Sequence, residues 1–166
     1  MRPAVNRTCI VVADAGLARF YDVGEDESSP SLKKKLVERA VLTNDVDLKS
    51  RGKSVTGKVR TETNTDRGSG PVHPMGAQRE RHRVELERRF GLEIAQLAGK
   101  MTKSWTKGVV VFIAEPRFLG ITRESMRQAL DKRIELKEIA RDYAHITVTD
   151  LYDHLARNGI VPALQP

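Results

Sequence analysis

Residues 49 to 83 hold nine basic side chains (Lys49, Arg51, Lys53, Lys58, Arg60, Arg67, Arg79, Arg81 and Arg83) against three acids, Glu62, Asp66 and Glu80. That net +6 accounts for nearly the whole chain's +7. Cations concentrated in this way suit phosphate contact, because each neutralised phosphate releases condensed counterions. The stretch ends in His73-Pro74-Met75-Gly76-Ala77-Gln78-Arg79-Glu80-Arg81, where loop chemistry gives way to a helical pattern.

A second group is made of carboxylates. Asp14, Glu115 and Asp142 each follow a predicted strand, at sheet ends where ligands of α/β folds bind. Three clustered acids could hold magnesium for phosphodiester cleavage. Arg19 and Arg117 fit better as their counter-ions, so the expected arrangement is a polar ion-pair or anion site, with no metal and no cofactor. Asp142 and His145, three apart, could orient a general base or fix a turn. Trp105, between Lys103 and Lys107, could stack on a base or cap the core. Cys9 lies within Cys9-Ile10-Val11-Val12-Ala13 and reads as a buried thiol; a lone cysteine excludes intrachain disulfides and multi-cysteine zinc sites.

Simple elements must position these groups. Cys9 to Ala13 reads as a buried strand, ended by Asp14-Ala15-Gly16, and Ala18 to Val23 as its hairpin partner. Leu32 to Leu42 is a third strand, with Leu36, Glu38, Ala40 and Leu42 expected on one face. Its Lys33-Lys34-Lys35 run suits an edge-strand guard against aggregation as well as it suits a binding patch. Residues 44–75 lack periodicity and are expected to be a mobile basic loop. A helix from about Gln78 to Lys103 carries an apolar stripe of Leu86, Phe90, Ile94, Leu97 and Met101, weakened locally by Gly91 and Gly99. Gly108 to Ala114 is a strand buried on both faces. Thr122 is expected to cap the next helix, which runs to about Lys132. Ile134 to Ala140 is a strand with Ile134, Leu136 and, after a slip, Ile139 facing inward. Thr147 or Thr149 caps the last helix, and Asn158-Gly159 ends it. The order implies one α/β domain over residues 1–166: an antiparallel meander, then α-β-α-β-α, on a mixed five-stranded sheet. No apolar run reaches a membrane span and no export signal is evident, so a cytoplasmic location without membrane contact is expected.

Several segments together resemble the bacterial host-attachment family, proteins required for attachment to host cells. They are Val11 to Gly16 with Ala18-Arg19-Phe20, Arg88-Arg89-Phe90, Ala114 to Gly120, and Glu138 to Ile146. That family is similar to the central domain of archaeal and eukaryotic class-1 peptide release factors, which implies an RNase-H-like fold. In those factors a Gly-Gly-Gln loop leads into the long helix; Gly76-Ala77-Gln78 matches at the first Gly and the Gln, with Ala77 replacing the second Gly. The resemblance implies a cytoplasmic module contacting ribosomal or transfer RNA through Lys49, Arg51, Lys53, Lys58, Arg60, Arg79 and Arg81. The alternatives are a protein-interaction factor affecting host-cell attachment, its protein partner unknown, or an enzyme: a peptidyl-tRNA-type esterase using Gln78, or a metal nuclease.

Overall fold

The computed structural model describes residues 7–25, 34–45 and 73–163. The β-branched and aromatic runs form β1 (Arg7–Ala13), β2 (Leu17–Glu25), β3 (Lys34–Thr43), β4 (Gly108–Ala114) and β5 (Ile134–Ala140). The helices are α1 (His73–Thr102), α2 (Pro116–Ala129) and α3 (Val148–Arg157). One sheet has the order β3-β2-β1-β4-β5. β2 is antiparallel to both β1 and β3, while β1, β4 and β5 run parallel. This mixed open sheet with three helices has the strand order and directions of an RNase-H-like arrangement.

Both faces of β1 and β4 are buried, which explains their unbroken apolar runs. On one face Val11, Phe20, Val110 and Phe112 pack with Phe90 and Ile94 of α1 and Phe118 and Met126 of α2. On the other, Ile10, Val12, Val111 and Ile113 pack with Leu151, Tyr152 and Leu155 of α3. Trp105 is 6% exposed, beside the start of β4 and beneath the Arg7 guanidinium, so it closes the core rather than offering a stacking surface.

Four expectations need correction. α1 begins at His73, five residues before Gln78, so Gly76-Ala77-Gln78 lies within the helix. α2 begins at Pro116, whose missing N–H costs nothing in a first turn. Thr122 is therefore a buried mid-helix residue, its hydroxyl donating to the Phe118 carbonyl at 2.7 Å. The third strand carries a bulge: Phe20 pairs with Ala40 but Tyr21 with Glu38, leaving Arg39 extra. The bulge reverses the alternation, sending Leu36 to the α3 face while Ala40 and Leu42 join the α1 face. β5 pairs with β4 without any slip, and its regular alternation carries Ile139 to the α3 face.

Gly91, Ala95 and Gly99 recur every fourth residue on α1. A Cβ on Gly91 would lie 3.0 Å from Thr122 Oγ1, and one on Gly99 would lie 2.7 Å from the Ala129 carbonyl oxygen. These glycines let α2 approach closely, which is what their weaker helix propensity obtains. Thr147 accepts a hydrogen bond from the Asp150 amide as the cap of α3, and Gly159 ends that helix at φ 70°. No helix among the described residues is long and apolar enough to cross a membrane.

Candidate nucleic-acid interface and polar junction

α1 spans 30 residues, about 45 Å at 1.5 Å per residue, against roughly 23 Å for a seven-residue strand. It outruns the sheet. Burial begins at Glu87, Phe90 and Gly91, whereas residues 76–83 are exposed throughout. The α1 start lies at the end of the sheet reached by the carboxyl ends of β1, β3 and β4, because Arg117 in the first turn of α2 meets Glu80 and Glu87. The helix amino end carries no acid in its first turn, so its positive dipole end is not offset locally.

Arg79 and Arg81 on this exposed segment, and Arg88 beyond it, are exposed and have no ion-pair partner among the described residues. Arg81 and Arg88 are seven apart and share a face about 10 Å long. Gln78 is exposed nearby. Gly76 does not have a positive φ, and a Cβ there would meet nothing within 4 Å. Lys49, Arg51, Lys53, Lys58 and Arg60 lie outside the described residues, as does most of segment 44–75.

The root of the helix holds a charged network that sequence reading missed. Glu87 is 1% exposed. Its carboxylate accepts from Arg117 Nη1 at 2.7 and 3.0 Å, and from Arg83 Nε at 3.3 Å. Arg117 Nη2 also reaches Glu80 at 3.4 Å. Its guanidinium pKa is raised, chiefly by the hydrogen bonds to Glu87. The available signal was spacing: Glu87 sits three before Phe90 and seven before Ile94, on the apolar stripe, and four after Arg83. A charged residue on a buried stripe requires a partner.

The carboxylate group expected at the strand ends is only partly assembled. Asp14 Oδ1 accepts from the amides of Gly16 and Leu17, each at 2.8 Å, which shapes the β1–β2 turn. Its Oδ2 receives His145 Nε2 at 2.9 Å. The same turn anchors the end of β3: the Asn44 amide donates to the Gly16 carbonyl at 2.9 Å, and Asn44 Nδ2 to that of Ala15 at 3.1 Å. One aspartate thus joins the hairpin to the β5–α3 loop beside the point where β3 leads into the basic segment. Asp142, the expected partner of His145, is exposed and has no partner among the described residues. Arg19 pairs with Glu38 at 3.7 Å and Arg117 with Glu87, so neither serves Asp14. Among the described residues, no three His, Cys, Asp or Glu side chains gather as a metal site.

A protein-family model described as "Protein required for attachment to host cells" matches residues 9–155. The match covers nearly the whole chain, and the chain belongs to that family. No curated protein matches it.

Proposed function

We propose that this member of the host-attachment family acts as a polyanion-binding module of release-factor type, contacting ribosomal or transfer RNA through its basic segment and the projecting start of α1. The observation that carries the reading is the exposure of residues 76–83, with Arg79, Arg81 and Arg88 unpaired among the described residues, directly after a segment dense in Lys and Arg. A rigid helix presents its cations at low entropic cost, and a basic segment next to it adds phosphate contacts. On this reading the module works in the cytoplasm, and its effect on attachment is indirect.

Gln78 favours binding over hydrolysis. Its position in a regular helix, beside a Gly76 with ordinary φ, lacks the backbone freedom that lets a loop aim donors at a developing oxyanion. Gln78→Ala should leave folding and RNA affinity intact. Peptidyl-tRNA hydrolysis by the native protein that vanishes in Gln78→Ala would replace the binding reading with an enzymatic one.

The deciding experiment is co-sedimentation of the purified protein with ribosomes over a salt series. Binding should weaken steeply with salt. Replacing Lys49, Arg51, Lys53, Lys58 and Arg60 together by Gln should flatten that dependence. No co-sedimentation at low salt would reject the reading.

A further inference from the structure

The sheet ends on two edge strands that are guarded differently. β3 carries Lys34 and Lys35 at its start and a bulge at Arg39, devices that keep an edge from pairing with another chain. β5, at the other edge, has neither bulge nor proline, and its seven residues pair with β4 without a register shift. Its outward backbone groups meet no backbone partner among the described residues, apart from local turn bonds at the two ends, Ile134 to Asp131 and Arg141 to Ile139. Glu135 and Lys137 are exposed and share with Ile139 the α3 side of the sheet. Neither has an ion-pair partner among the described residues. Glu138, on the opposite side, is already held by Arg123, whose Nε donates to both carboxylate oxygens at 3.0 Å.

Two copies joined edge to edge about a two-fold axis run antiparallel, with the axis normal to the joined sheet. Opposed side chains then lie on the same side, so the register must centre on one residue facing its own copy. Centres at Leu136, Lys137 and Glu138 are the ones that align five or more residues of each seven-residue strand. A centre at Lys137 or at Glu138 sets like charges directly opposite each other, which is destabilising. A centre at Leu136 sets leucine against leucine and Glu135 against Lys137 of the second copy, once on each side of the axis. We propose that β5 is a homodimerisation edge, on which a second copy of this chain adds antiparallel with Leu136 at the two-fold axis and two Glu135–Lys137 ion pairs flanking it. The proposal is independent of the polyanion reading. It places both α1 helices on one face of the doubled sheet. One pair of short strands is a small interface, so the dissociation constant is expected on the order of tens of micromolar.

The test is sedimentation equilibrium of the full-length protein from about 1 to about 200 μM in about 0.15 M salt. The native protein should pass from monomer to dimer across that range. Glu135→Lys and Lys137→Glu, each alone, set like charges across the axis and should weaken self-association by about tenfold. Both positions are exposed, so the variants should keep the native melting temperature. An equimolar mixture of the two single variants should recover association as a heterodimer, because every opposed pair is again acid against base. The double variant Glu135→Lys/Lys137→Glu should recover it as a homodimer. A native protein that stays monomeric throughout would overturn the proposal and leave the edge to a strand of a different protein. A dimer unchanged in both single variants would overturn β5 as the interface. Loss in both without recovery in the mixture and the double variant would overturn the Leu136 register.

Discussion

Arg117 Nη1 lies 2.7 Å from Oε2 of Glu87, a carboxylate buried to 1% exposure between α1 and α2. The pair ties the root of the projecting helix to the start of α2. A buried charge that loses its partner costs several kcal/mol, yet Arg83 still touches Glu87 and Arg117 is partly exposed. Arg117→Ala is therefore expected to destabilise by about 2–3 kcal/mol in urea unfolding. Arg117→Lys should recover only part of that, since a single ammonium cannot reproduce a fork whose Nη1 meets Glu87 while its Nη2 reaches Glu80. Arg117→Met with Glu87→Leu should be more stable than Arg117→Ala. Equal stability of Arg117→Ala and the native protein would show that the pair contributes nothing.

Two glycines on the same helix should respond in opposite directions to alanine. At Gly76 there is open space and ordinary helical φ, so Gly76→Ala should stabilise by up to about 1 kcal/mol through helix propensity. At Gly99 the new Cβ would meet the Ala129 carbonyl oxygen at 2.7 Å, a backbone atom that cannot swing away. Gly99→Ala should destabilise by about 1–3 kcal/mol despite its better propensity. Melting temperatures that rise for both variants would place α2 farther from α1.

Asp14 serves two backbone amides through one oxygen and His145 through the other. Asp14→Ala should cost about 1–2 kcal/mol, mostly from the two amides left without their acceptor. Asp14→Asn keeps one carbonyl oxygen for those amides and should cost less. His145→Ala should cost less than about 1 kcal/mol, because the imidazole is mostly exposed. Thermal denaturation that ranks His145→Ala as the most damaging would reverse this division of labour.

Burial, with the Asp22 charge as a smaller cause, pushes the Cys9 thiol from its ordinary 9.0 up to about 12. Burial also raises Tyr21 and Tyr152, in Tyr21 against an opposing hydrogen bond from Arg19. These groups keep their protons in the fold while the unfolded chain loses them. Their contribution to stability is complete below about pH 9 and drains away as pH rises toward 12. Urea midpoints should fall across that window. At neutral pH Cys9 should resist a thiol reagent in the native protein and react on unfolding. Rapid native labelling would contradict its burial.

The amino-acid sequence by itself determined the element order, the burial of β1, the two-sided burial of β4, a threonine cap for α3 at Thr147 or Thr149 with its stop at Asn158-Gly159, and the density of cations before α1. Each is a local signal: an apolar run, a Thr three residues before an amide, a Gly that can take positive φ, a cluster of Lys and Arg. The tertiary structure decided the relations across distance. The bulge at Arg39 depends on the partner strand β2, so alternation within β3 alone placed Leu36 on the wrong face. The glycines on α1 look like weak points until Thr122 and Ala129 are seen against them. Glu87 and Arg117 lie thirty residues apart, and His145 chooses Asp14 over its sequence neighbour Asp142. Ion-pair partners are selected by where the packed helices and strand ends bring charges together, and pairwise spacing along the chain does not encode that.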